Sequence, residues 1–282
     1  MPHARVNGVR LYYEEHGSGF PLVLAYGLGG NTTEWAPQVA PFSRRYRLVL
    51  WDPRGHGKSE SPPRREQYGA NISAEDLRGL LDHLGIERAY VGGLSMGGGI
   101  ATRFTLRYPE RVAALLIIDS ASASGLPMSP QMRAMREKSI EVVETQGMRA
   151  MAEYAMQANP NIAGRARQGP EAVQGVYEMY EALDPVGYAN TIRAMLTSDS
   201  ITDRLPEVRV PTLVLVGEED PALPAARVTH ERIAGSKLVV LPRAGHLSNL
   251  DQPEAFNREV LAFLAEVDAQ REAAVGRGAS DR

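Results

Sequence analysis

Ala89-Tyr90-Val91-Gly92-Gly93-Leu94-Ser95-Met96-Gly97-Gly98-Gly99-Ile100-Ala101 is the stretch on which the rest of this chain is organised. It reads as a buried strand running straight into a helix start made of small residues, with the turn Gly93-Leu94-Ser95-Met96-Gly97 between them. A serine held between strand and helix takes a φ at or near positive values, so its neighbours must lack side chains that would clash. Gly93 and Gly97 meet that need. The turn lifts the Ser95 hydroxyl above the sheet edge and aims the first N–H groups of the next helix, beginning with Met96, at whatever the serine attacks. G-x-S-x-G alone occurs by chance in many chains. Strand before, helix after and partners downstream make it a nucleophile elbow.

Working outward, apolar and polar residues roughly alternate over residues 9–15, as in an antiparallel strand with one wet face. Residues 21–26 form a continuous apolar run, the mark of a strand covered on both faces, and it empties into Gly27-Leu28-Gly29-Gly30, where backbone can approach a ligand closely. An amphipathic stretch at 33–42 precedes another buried strand at 48–51, which ends in the breaker-rich turn Asp52-Pro53-Arg54-Gly55-His56-Gly57-Lys58-Ser59. Ser73-Ala74-Glu75-Asp76 reads as an N-cap with acids in the first turn of a helix whose apolar face is Leu77, Leu80, Leu81 and Leu84. Further buried strands follow at 113–119, 211–216 and 237–241, with helices at 224–233 and 252–267. Strands alternating with helices imply an α/β fold whose mostly parallel sheet is covered on both faces and binds ligands beyond the carboxyl ends of its strands.

The alternation breaks over residues 125–205, where helical segments without strand signals carry eight of the ten methionines. This region reads as an inserted helical cap over the active edge of the sheet. Its methionines either fill irregular helical cores or line an adaptable apolar pocket. The expected organisation is therefore a core of residues 1–124 and 206–270, a cap of 125–205, and a frayed, flexible tail of 271–282.

Composition narrows the partners. With 31 basic and 34 acidic side chains the 282-residue chain carries −3, and no long run of one sign is present to attract nucleic acid or an anionic membrane. A small-molecule partner is expected, with oligomeric state, including a homo-oligomer, left open. The absence of cysteine excludes disulfides, thiolate metal sites and a cysteine nucleophile. No signal peptide or stretch of about 20 apolar residues is evident, so a cytoplasmic protein is expected.

Ser95, Asp220 and His246 each lie just past the carboxyl end of an expected buried strand, so a parallel sheet gathers them at one edge. A serine hydroxyl is a poor nucleophile until a neighbouring imidazole removes its proton, and the imidazole works best when a carboxylate holds its tautomer and stabilises its charged form. Those are the roles expected of Ser95, His246 and Asp220. The backbone N–H groups of Leu28 and Met96 are the expected oxyanion hole.

Five motifs in order, Tyr26-Gly27-Leu28-Gly29-Gly30, Asp52 to Ser59, Gly93 to Gly97, Gly217-Glu218-Glu219-Asp220-Pro221 and Gly245-His246, resemble the α/β-hydrolase superfamily over residues 9–264. Within it the chain is similar to the capped, cofactor-free group that includes 3-oxoadipate enol-lactonases, small esterases, non-haem haloperoxidases and carbon–carbon bond hydrolases. The resemblance implies an ester or lactone hydrolase working through an acyl-enzyme, with no cofactor or metal. Alternatives on the same fold are carbon–carbon bond hydrolysis of ring-cleavage products, perhydrolysis, and a slow-turnover ligand sensor. Dehalogenases and epoxide hydrolases of this fold carry aspartate at the elbow, so Ser95 argues against both. The resemblance favours Asp220 over Asp119, Glu218 and Glu219 as the acid. It gives His56 a structural role in its turn; by position in the sequence, Asp52 is expected to cap that same turn and Asp251 to help fix the final helix. Many relatives place histidine where this chain has Tyr26, which bears on how the oxyanion loop is braced. Tyr26 and Trp35 are the candidate pocket residues.

Overall fold

The computed structural model describes residues 2–167 and 169–280. In chain order its strands are β1 (His3–Val6), β2 (Val9–His16), β3 (Phe20–Ala25), β4 (Tyr46–Trp51), β5 (Ala89–Leu94), β6 (Val112–Ile118), β7 (Thr212–Gly217) and β8 (Lys237–Leu241). Its helices are α1 (Ala36–Ser43), α2 (Ala70–His83), α3 (Met96–Arg107), α4 (Pro130–Ala158), α5 (Pro160–Ala166), α6 (Pro170–Glu181), α7 (Pro185–Leu196), α8 (Leu223–Arg232), α9 (Ser248–Asp251) and α10 (Pro253–Ser280).

The eight strands form one sheet in the order β1-β2-β4-β3-β5-β6-β7-β8. β1 and β2 are antiparallel additions at one edge, and the pairings from β4 to β8 are parallel. Parallel strands need crossovers that lay helices on both faces, which is why β5, β6 and β7 are buried along their whole length. Alternate residues serve the two faces. Val23, Val49, Val91 and Val214 meet α2, α3 and α8 through residues such as Leu80, Phe104 and Ala226. Leu22, Leu24, Leu48 and Leu213 meet α1 and α10 through Phe42, Phe256 and Val260.

Between β6 and β7 the described residues form four α-helices, α4 to α7, a short 3-10 helix at Thr202–Glu207, and no strand. They share a third apolar cluster, with Val143 and Met151 of α4, Ile162 of α5, Tyr180 of α6 and Ile192 of α7, and Leu28 packs against it. Met148 and Met151 are buried in this cluster, whereas Met132 is exposed.

Three local expectations are corrected. β1 was not anticipated, although Asn7-Gly8 marks it: both residues take positive φ, 47° and 75°, as a two-residue hairpin turn requires. Ser73 is not an N-cap. α2 begins a turn earlier, the Ser73 N–H donates to the Gly69 carbonyl, and Asp76 is a buried partner of Arg54 rather than a helix-start acid. The tail of 271–282 expected to fray is helical as far as Ser280, and residues 281 and 282 lie outside the described residues. Ala269, Gln270, Arg271 and Glu272 are strong helix formers, and the Arg271 guanidinium lies 3.5 Å over the Phe20 ring while donating to the Tyr90 hydroxyl.

Candidate active site

Ser95 joins β5 to α3 with φ 54° and ψ −113°, a left-handed conformation that costs a non-glycine residue of order 1–3 kcal/mol and must be held by its surroundings. Its N–H donates to the Ile118 carbonyl at 2.8 Å, and its own carbonyl accepts from the Ser120 hydroxyl at 2.5 Å. β5 also runs close beside β3. A Cβ on Gly93 would stand 2.5 Å from the Ala25 carbonyl oxygen, and one on Gly97 would meet the same carbonyl. Both glycines are there because backbone approaches backbone.

His246 follows β8 and Asp220 follows β7. The His246 Nε2 lies 3.1 Å from the Ser95 Oγ, and its Nδ1 lies 3.0 Å from both carboxylate oxygens of Asp220. Asp220 is buried and is further fixed by the Ala222 N–H. Asp251 accepts from the Gly245 N–H at 2.8 Å and so steadies the turn that carries His246. Burial works against a charged imidazole here, but the hydrogen bond and charge of Asp220, aided by Asp119, outweigh it, and the His246 pKa is raised above its ordinary 6.5.

Asp119, the rival acid at the end of β6, does other work. It accepts from the Gly217 N–H at 2.9 Å and from the Ser248 N–H and hydroxyl at 3.0 and 2.6 Å, tying the end of β7 to the start of α9 beside His246. Burial first, and the neighbouring charge of Asp220 second, push its carboxyl well above the usual carboxylate range.

The loop of residues 26–30 lies against the elbow, since a Cβ on Gly27 would come within 3.0 Å of the Ser95 Cβ. Met96, the first residue of α3, has no carbonyl four residues back within the helix for its N–H. The expectation that Tyr26 and Trp35 line a substrate pocket is corrected: both side chains are buried in the core, edge to face with each other, Trp35 also lies against Phe256, and the Tyr26 hydroxyl donates to Asn249 Oδ1. Asn249 in turn donates to Gln38 and the Glu34 carbonyl, so this network braces the glycine loop against α9. In the turn of residues 52–59, Asp52 accepts from the Thr32 and Lys58 N–H groups, Arg54 makes a bidentate pair with buried Asp76 at 2.6 Å, and burial lowers the His56 pKa to about 4. His56 contacts the Arg54 carbonyl and stands apart from Ser95.

Sequence reading passed over Ser120, Asn249 and Arg136. Ser120 could have been found from its place at the carboxyl end of a buried strand, and Asn249 from its nearness to His246. Arg136 of α4, whose charge opposes protonation of His246, has nothing around it in the sequence to set it apart. Among the described residues no group of three or more histidine and carboxylate side chains is arranged to hold a metal ion, and no helix is long and apolar enough to cross a membrane.

A family profile describing the α/β hydrolase fold matches residues 21–253. The chain is 32% identical over 248 residues to 3-oxoadipate enol-lactonase 2 of Acinetobacter baylyi, spanning 86% of this chain and 88% of that protein. An esterase from Thermogutta terrifontis with malate bound matches with a TM-score of 0.83 at 30% identity, over 95% of this chain and 99% of that one. The enol-lactonase from Burkholderia xenovorans LB400 matches with a TM-score of 0.82, also at 30% identity, over 94% and 100%. With its sheet order, elbow and matched length, this chain belongs to the α/β hydrolase fold family.

Proposed function

We propose that the chain is a serine hydrolase that cleaves a small ester or lactone through an acyl-enzyme, without a cofactor. The observation that carries this reading is the continuous contact from the Ser95 hydroxyl through the His246 imidazole to the Asp220 carboxylate. Ser95 Oγ attacks the carbonyl carbon as His246 Nε2 takes its proton. Asp220 keeps the Nδ1 proton in place and stabilises the imidazolium. The N–H groups of Leu28 and Met96 receive the carbonyl oxygen as it becomes negative. His246 then gives its proton to the leaving alkoxide, and a water deprotonated by His246 releases the acid and restores Ser95. The helices α4 to α7 act as a cap that shapes the pocket. In support, they pack against Leu28 of the glycine loop.

Replacing Ser95 by alanine tests the reading on p-nitrophenyl valerate. Loss of about 10³-fold or more in kcat, with an unchanged circular dichroism spectrum, is expected, and retention of most of the activity overturns it. A parallel screen of neutral lactones, vinylogous diketones and peroxide-dependent halogenation identifies the bond. Turnover of the diketone alone would move the assignment to carbon–carbon cleavage.

A further inference from the structure

The run Gly97-Gly98-Gly99 is longer than the elbow itself requires. Gly97 makes room for β3 and the loop after it, but a Cβ on Gly98 would stand 2.7 Å from the Ser120 Cβ and 2.9 Å from its Oγ, and one on Gly99 would stand 2.8 Å from the Ser122 Cβ. The chain leaving β6 is therefore seated directly on the first turn of α3. Ser120 is 1% exposed, and its Oγ accepts the Ala123 N–H at 3.2 Å, which leaves the hydroxyl hydrogen to be donated to the Ser95 carbonyl at 2.5 Å. The Gly99 N–H also donates to that carbonyl, at a longer 3.2 Å.

The Ser95 carbonyl and the Met96 N–H belong to one planar trans peptide, so whatever fixes the carbonyl also fixes the direction of the N–H on the opposite side. That plane needs fixing. Ser95 has φ 54° with ψ −113°, whereas a residue with a side chain at positive φ ordinarily rests at ψ of roughly +30 to +60°. Turning the plane toward that range would carry the Met96 N–H away from its place. We propose that Ser120 is a positioning residue that holds the Met96 N–H in the oxyanion hole. Its hydroxyl anchors the strained peptide by the carbonyl end and, by polarising that carbonyl, makes the N–H a stronger donor. This inference rests on the hydrolase reading above, in which Met96 receives the negative oxygen, and adds the group that aims the donor.

The test is Ser120→Ala with p-nitrophenyl valerate. Removing an oxyanion donor outright costs about 10² to 10³-fold in kcat, and a donor that is present but loosely aimed should cost about 10-fold or more. The loss is expected in kcat with KM nearly unchanged, because the oxygen becomes negative only after attack. A butyl trifluoromethyl ketone, to which Ser95 adds to give a tetrahedral oxyanion on the same alkyl chain, should bind more weakly by the same factor. The pH midpoint of kcat/KM should not move, since the contacts of His246 with Ser95 and Asp220 do not involve Ser120. An unchanged kcat, a loss carried by KM, or a shifted midpoint, which would mark a general loosening of the triad, overturns the inference. If Ser120→Ala fails to fold, Ser120→Cys keeps the space filled but offers only a weak donor: a fall in kcat with KM and midpoint unchanged supports the role, and any other result overturns it. Failure of the hydrolase reading looks different, since Ser95→Ala then retains turnover. If Ser95 is required and kcat is indifferent to Ser120, the positioning role alone falls.

Discussion

Two parts of the molecule meet at the glycine loop of residues 26–30, the carboxyl edge of the sheet and the helices α4 to α7, and they are built on different terms. At the sheet edge the ionisable groups are tied down: Asp52, Arg54, Asp119 and Asp220 each have two or more partners. The atoms left unpaired there, Trp35 Nε1 and His56 Nε2, belong to neutral rings. The helical segment is looser. α4 is interrupted at Gly147, Leu126, Met132 and Val186 are exposed, and the unpaired atoms include Arg136 Nε on a charged group. On the proposed reading the rigid part sets the reaction and the looser part selects what reaches it.

The strongest way to break that contrast is at two carboxylates one strand apart. Asp220→Asn should reduce kcat by about 10³ to 10⁴-fold while the protein stays folded, since an asparagine no longer holds the imidazole in its working tautomer. Asp119→Asn should reduce kcat by only about 10-fold. Its main effect should be a loss of about 1–3 kcal/mol in urea unfolding, because the ties to Gly217 and Ser248 weaken. Equal losses of kcat in the two variants would mean that the acid is shared, and a larger loss in Asp119→Asn would reverse the assignment.

A gentler comparison makes the same substitution in both regions. An alanine at Gly93 would press on the Ala25 carbonyl and on the backbone of Gly97, and should destabilise the protein by about 3 kcal/mol. At Gly147 nothing lies within 4 Å of the new methyl, and only the backbone resists it: φ 82° with ψ −177° is a conformation almost confined to glycine, so about 2 kcal/mol is expected, all of it backbone strain. Urea midpoints at constant slope measure both. If Gly147→Ala is as costly as Gly93→Ala, the helical segment is as tightly built as the sheet.

This contrast also governs what could be read from the sequence. That Ser95, Asp220 and His246 come together is legible because each follows a continuous apolar run, and the ends of parallel strands must lie together. Asp119 was legible as a candidate, but its role was not, since choosing between two acids at neighbouring strand ends takes the direction of the side chains. Tyr26 and Trp35 were misjudged for a related reason: a residue beside a glycine loop can point into the pocket or into the core, and residue 26 takes the core side with Leu22 and Leu24. Arg136 was hidden altogether. A single arginine in a helix reads as solvated surface, and only its placement beside Tyr180 of α6 and Tyr188 of α7 shows that its Nε is buried without a hydrogen-bond partner.

The smallest effect is the most direct reading of the site's electrostatics. On the proposed mechanism catalysis needs neutral His246, so kcat/KM for a neutral ester should rise with pH through a midpoint above 6.5, the pKa of the imidazole in the free enzyme. Burial disfavours the imidazolium, whereas the hydrogen bond and charge of Asp220 and the charge of Asp119 favour it, and Arg136 opposes them. Removing the dominant favourable partner in Asp220→Asn should therefore move the midpoint down, visible in whatever activity survives. Arg136→Met removes an opposing charge and should move it up by less. A wild-type midpoint at or below 6.5 would mean that burial prevails over Asp220, and opposite shifts in the two variants would separate the carboxylate at the sheet edge from the guanidinium on the helices facing it.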